Sequence, residues 1–106
     1  PQDYTDMDKN QVKAEDMDLC VRAISVGALH KAYPMTVAVG TGAAARIPGT
    51  IVYETLKVPL EGDIIRLGHS SGITDVDIKM DGEKVLKGGV TRTARRIMDG
   101  FVYIRE

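Results

Sequence analysis

An α+β domain, with a curved mixed or antiparallel sheet wrapped around a buried central helix, is the fold class this sequence predicts. Two observations lead there. From Met35 to Ala45 no side chain is charged, the only hydroxyls are those of Thr36 and Thr41, and most residues are small. A helix of that composition has no polar face to give to water, so other structure must surround it. Its 11 residues also fall well short of the ~20 that cross a bilayer. Beyond Thr50 the hydrophobic period changes to two, the mark of strands with one covered face. The chain has 106 residues, 43% of them hydrophobic, which suits a single domain over 1–106 with a real core and neither repeat nor linker.

Residues 1–14 are polar and aperiodic, reading as a surface loop or short edge strand. Asp16 or Asp18 can cap a helix running through Leu19, Cys20, Ala23 and Ile24 to Val26, with Gly27 as its stop. Cys20 lies in the apolar stripe of that helix and reads as packed core rather than nucleophile. The central helix spans Pro34 to Pro48. Proline suits a first turn, and Pro48-Gly49 ends the run. Gly40 and Gly42 each cost about 1 kcal/mol in a helix interior, which argues for close approach by neighbouring strands.

Strands are expected at Thr50–Leu56, Asp63–Leu67, Thr74–Met80, Glu83–Lys87, Val90–Ile97 and Phe101–Ile104. Thr74–Met80 is the clearest, since Val76, Ile78 and Met80 alternate with Asp75, Asp77 and Lys79. Asp81-Gly82 and Asp99-Gly100 signal tight turns, and Gly88-Gly89 a bulge or bend.

The formal charge of −1 excludes a globally basic protein that coats nucleic acid. Charge is nevertheless uneven. Residues 1–18 hold six acids against two lysines, and residues 84–106 hold six lysines and arginines against two acids. Either these are two solvated or mutually pairing ends, or the arginines hold an anionic small molecule or partner. A strand over Thr91–Ile97 would put Arg92, Ala94 and Arg96 on one face. A single cysteine excludes an internal disulfide, and neither a signal peptide nor a membrane span is visible, so a cytoplasmic location is expected.

Three stretches invite a chemical reading. Gly40-Thr41-Gly42-Ala43-Ala44-Ala45 matches a dinucleotide fingerprint, with Glu61 at a fitting distance, but Pro48 leaves too little helix after it. The free N–H groups near Met35 and Thr36, at the positive end of the helix dipole, can bind a carboxylate. His69-Ser70-Ser71-Gly72 follows a strand and can offer N–H and hydroxyl donors to the same kind of group. With His30 and His69 the only histidines, no metal cluster and no trusted catalytic triad emerge.

Together these pieces resemble the PrpF family of 2-methylaconitate cis–trans isomerases. The resemblance is carried by Asp18-Leu19, Arg22, Ser25-Val26-Gly27, Leu29-His30-Lys31-Ala32, and Ala44-Ala45-Arg46-Ile47-Pro48-Gly49-Thr50. It continues through Ile65-Arg66-Leu67-Gly68-His69-Ser70-Ser71-Gly72 and Arg92-Thr93-Ala94-Arg95-Arg96-Ile97-Met98-Asp99-Gly100-Phe101-Val102-Tyr103. It implies a diaminopimelate epimerase-like fold and cofactor-independent proton shifts next to a carboxylate. Only the family's C-terminal part is covered, and its lysine and cysteine acid/base candidates have no counterpart here; Cys20 does not match that cysteine. Where the family has a proline in the turn, this chain has Ser70.

The resemblance thus implies a C-terminal portion of an isomerase of unsaturated tricarboxylic acids. No catalytic residue of this chain is expected, nor a cofactor, nucleic acid or membrane partner. Met35, Thr36, His69, Ser70, Ser71 and Gly72 are expected to bind a di- or tricarboxylate. The missing N-terminal half, or further copies of the chain, would complete the molecule. The rival readings are a stand-alone binding or oligomerisation module, and an acid/base pair newly assembled across a homodimer from His69 or Cys20.

Overall fold

Four strands order the computed structural model, which describes residues 1–105. They are β3 (Leu19–Cys20), β6 (Ile64–His69), β7 (Gly72–Asp81) and β8 (Lys84–Val90), side by side in the order β3-β6-β7-β8. The long hairpin arm β7 sits centrally, antiparallel to both β6 and β8, while β3 joins the outer side of β6 in parallel. In β7 the expected alternation is realised: Val76 and Ile78 are buried, Asp75 and Asp77 exposed. Together with Ile65 and Leu67 of β6 they form a fully buried apolar face. Each such side chain contributes about 1.5–3 kcal/mol by leaving water.

Helix α1 (Met35–Ala44) lies on this face. Ala38, Gly42 and the capping Ala45 are buried against it. Gly42 is required for the approach: a Cβ there would sit 3.0 Å from Ile78, 3.1 Å from Val76 and 3.2 Å from Ile65. Gly40, by contrast, faces open space, so close approach explains one of the two helix glycines and not the other. In the described residues the sheet covers one side of the helix only, and Met35, Thr36, Val37 and Gly40 remain exposed.

Several expected elements take another form. The segment after Asp18 is not a helix. Leu19 and Cys20 pair with Leu67 and Gly68 in the sheet, and Asp18 receives the Arg66 backbone N–H at 2.7 Å instead of capping a first turn. Next comes a small hairpin of β4 (Ile24–Ser25) and β5 (Ala28–Leu29), turned by Val26 and Gly27 at φ of 51° and 74°. Two positive φ values match the twist of a two-residue hairpin loop. Cys20 is accordingly exposed rather than packed in a helical stripe.

Thr50–Leu56 is not a strand but contains helix α2 (Ile51–Thr55). The Thr50 side chain accepts the Tyr53 N–H at 3.1 Å and caps the helix start, a local bond that outweighs the β-propensity of Ile51, Val52 and Tyr53.

Gly82, at φ 58°, turns β7 into β8 as the Asp-Gly pair indicates. The ladder irregularity falls between Lys79 and Met80 rather than at Gly88-Gly89. Gly88 instead makes room for α1, since a Cβ would lie 2.6 Å from Val39. Residues 91–105 form no strand; they run exposed and without regular structure, because in the described chain no neighbouring strand hydrogen-bonds to them. At the other end, β1 (Tyr4–Thr5) and β2 (Gln11–Val12) make a two-residue ladder that brings Tyr4 toward the end of β6.

Candidate functional site

Strand β6 runs directly into the His69–Gly72 turn, where β7 begins. His69 is buried, and both ring nitrogens are engaged. Ser71 N–H donates to Nδ1 at 3.2 Å, which makes Nε2 the protonated nitrogen, donating to Thr74 Oγ1 at 2.7 Å. Burial, and then the positive charge of Arg22, hold its pKa below the ordinary histidine value, so the ring is neutral near pH 7. Ser70 is buried too, and its Oγ has no hydrogen-bond partner among the described residues. The Ser71 hydroxyl donates to the carbonyl of Lys31.

That last bond connects the turn to the approach of α1. Lys31 lies four positions before Met35, and His30 closes the base of the β4–β5 hairpin through its N–H to Ala23 O at 2.8 Å. Pro34 stands at the cap position just before helix α1 and offers no side-chain cap. The first intrahelical bond here is Ala38 N–H to Pro34 O at 2.8 Å, so the N–H groups of Met35, Thr36 and Val37 have no acceptor within the helix. A ten-residue helix adds the positive end of its dipole at the same place. Thus the structure ties the His69–Gly72 turn to the segment that leads into Met35 and Thr36. Met35 contributes more than backbone, because its Sδ receives Arg92 Nη1 at 3.0 Å. Arg96 instead faces Asp99 across 3.7 Å in an exposed pair.

Of two further residues of this region, Tyr4 was not singled out by motif reading and Arg22 entered only through the family resemblance. The Tyr4 hydroxyl lies 2.7 Å from His69 O and 3.0 Å from Gly72 O and donates across the turn it holds closed. Desolvation raises the Tyr4 pKa, which keeps that donor protonated. Over its ring, 4.8 Å from the centroid, lies the guanidinium of Arg22. Sixty-five residues separate Tyr4 from His69, and no local pattern signals the contact.

A cleft of about 610 Å³ lies elsewhere, toward the start of β6 between Met17, Leu60 and Ile64. Its charged lining is mixed, with Glu15, Asp18 and Glu61 against Lys57 and Arg66. Asp18 and Arg66 neutralise one another at 2.9 Å. Partial burial opposes ionisation of Asp18, but the hydrogen bonds and charge of Arg66 prevail and lower its pKa. A site that must attract an anion is better made at the turn and helix end.

Over residues 1–105 the chain matches the family model described as PrpF protein. The chain belongs to the PrpF family. It is 44% identical over its whole length to the 3-methylitaconate isomerase of Eubacterium barkeri, of which it covers 28%. It is 42% identical to the 2-methyl-aconitate isomerase of Shewanella oneidensis, over 98% of this chain and 27% of that protein. The crystal structure of a methylitaconate-delta-isomerase superposes on 96% of the chain with a TM-score of 0.82 and 42% identity, again using 27% of that structure.

This PrpF-family chain therefore spans little more than a quarter of the length of the relatives it matches. Its mixed α+β architecture is shared with the isomerase structure. Among the described residues no helix is long and apolar enough to cross a membrane.

Proposed function

We propose that this chain is the carboxylate-binding portion of a PrpF-type isomerase acting on unsaturated di- or tricarboxylic acids. The observation that carries the reading is the coupling of two donor groups. The uncapped N-terminus of α1 and the His69–Gly72 turn are tied together through Ser71 and Lys31. Backbone N–H groups of Met35 and Thr36, with the buried Ser70 hydroxyl and the Gly72-flanked turn, supply neutral donors and a dipole for a carboxylate. Such donors also stabilise negative charge that develops when a proton beside the carboxylate is removed.

The chain itself supplies no acid/base pair in this reading. His69 has both ring nitrogens occupied and is buried, so it orients the turn rather than exchanging protons with a ligand. Cys20 is exposed, 3.6 Å from a guanidinium nitrogen of Arg22, and matches none of the family's acid/base positions. The remaining length of the relatives would supply those groups. It would also cover the bare side of α1 at Met35, Val37 and Gly40, completing an epimerase-like wrapping of the helix.

Titration of the ¹⁵N-labelled chain with cis-aconitate tests this. Shifts at Met35, Thr36 and residues 69–72 with millimolar or tighter affinity are expected, together with no exchange of ligand protons into deuterated water. Proton exchange by the chain alone that disappears in His69→Ala would overturn the half-site reading in favour of a newly assembled acid/base pair.

A further inference from the structure

The cation best placed beside the turn is Arg22, which the preceding reading leaves without a role. Arg22 follows β3, and Val21 N–H donates to Gly68 O at 2.8 Å, so Arg22 stands alongside the last residues of β6. Besides the 3.6 Å contact of Nη1 with Cys20 Sγ, three contacts hold its guanidinium. Nη1 donates to Val21 O at 2.7 Å and reaches Gly68 O at 3.4 Å, and the group lies over the Tyr4 ring. Tyr4 in turn holds His69 O and Gly72 O. One aromatic residue thus fixes both the turn and the arginine beside it.

Among the described residues all of these hydrogen bonds use Nη1, which leaves Nε and Nη2 without a protein partner on an exposed side chain. A guanidinium held at one edge presents the remaining N–H groups in a planar fork suited to a carboxylate. Its charge is also felt at the turn, where it disfavours protonation of His69.

We infer that Arg22 is a specificity residue of this site: it receives a second carboxylate of the ligand, while the turn and the α1 N-terminus take the first. The assignment rests on the carboxylate-binding reading above. It explains how a site otherwise built from neutral donors selects a di- or tricarboxylate over a monocarboxylate. Lys31 and Arg92 are the competing cations nearby. Lys31 contributes its carbonyl to the turn, whereas Arg92 is turned to Met35 Sδ. Neither is held by an aromatic face, and preorganisation favours Arg22.

The test compares itaconate with methacrylate, in which a methyl hydrogen replaces the second carboxylate, in titrations of the ¹⁵N-labelled chain. Arg22→Gln is expected to weaken itaconate at least tenfold and to leave methacrylate within twofold. Arg22→Lys should recover part of the loss, because charge is restored without the fork. An unchanged itaconate affinity, an equal loss of both acids, or a loss that follows Lys31→Gln or Arg92→Gln instead would each overturn the assignment. Failure of the unmodified chain to bind either acid removes the carboxylate-binding reading itself, an outcome separate from binding that ignores Arg22. A preserved amide spectrum in Arg22→Lys shows that folding is not what changed.

Discussion

His69 shows how one side chain can organise a site without serving as its acid or base. Its folded-state pKa is depressed, by burial first and the Arg22 charge second. In the unfolded chain the ring titrates near its ordinary value of about 6.5. Below that pH the unfolded state binds a proton that the folded state refuses. The His69 contribution is therefore intact above about pH 6.5 and is lost as pH falls through the depressed folded value. Urea unfolding at pH 7.5 and 5.5 should show lower stability at the acid pH, and His69→Asn should flatten that difference. NMR titration of the ring protons should give a pKa below 6.5, moving upward in Arg22→Gln. Tyr4→Phe is a complementary case. It removes the one hydroxyl that bridges His69 O and Gly72 O, and a loss of about 1 kcal/mol in the same unfolding measurement is expected.

Elements in this chain are set as much by what they pack against as by propensity. Helix α1 lies on the sheet because Gly42 admits Ile65, Val76 and Ile78 to its backbone. Gly42→Ala gains about 1 kcal/mol of helix propensity. Against this stands a Cβ only 3.0–3.2 Å from three branched side chains, and overpacking of this kind costs about 1–3 kcal/mol. Net destabilisation is expected in thermal unfolding, whereas Gly40→Ala, with open space around its Cβ, should stabilise.

Thr50 is the second decisive element residue. Its Oγ1 accepts from Tyr53 N–H and donates to Ala44 O at 2.6 Å, joining the end of α1 to the start of α2. Thr50→Ala should cost about 1 kcal/mol, read by urea unfolding, and should raise hydrogen exchange at Tyr53.

On the scale of the whole molecule the outstanding feature is the run beyond β8. Ile97, Met98, Phe101, Val102, Tyr103 and Ile104 are all more than four-fifths exposed. Apolar side chains in such number, on a chain that matches about 27% of its structural relative, call for cover by another part of the molecule or another copy. Sedimentation of the chain should reveal concentration-dependent association. The double variant Phe101→Asp, Tyr103→Asp should abolish it and leave the amide signals of β6 and β7 in place. Association unchanged in that variant would place the contact elsewhere, on the bare side of α1.

Much of this was legible from residue order. The uncharged segment between Met35 and Ala45 was legible as a helix, though the sheet covers only one side of it. Alternation from Val76 to Met80 had to be a strand with one buried face, because period and polarity act locally. Asp81-Gly82 announced its own turn for the same reason. The motif residues His69-Ser70-Ser71-Gly72 were likewise recognisable as a donor-rich turn.

Tertiary structure decided the rest. Leu19 and Cys20 carry a spacing that suits a helix equally well, and became a strand because β6 offered them an edge. The Phe101–Ile104 run has strand character but no strand, since a strand exists only where a partner accepts its hydrogen bonds. Tyr4, Arg22 and Lys31 meet the His69 turn from positions 65, 46 and 40 residues away along the pairs that join them. Short-range preferences are written in neighbouring residues. Contacts between distant ones arise only when the folded backbone brings their hydrogen-bonding groups and charges within reach.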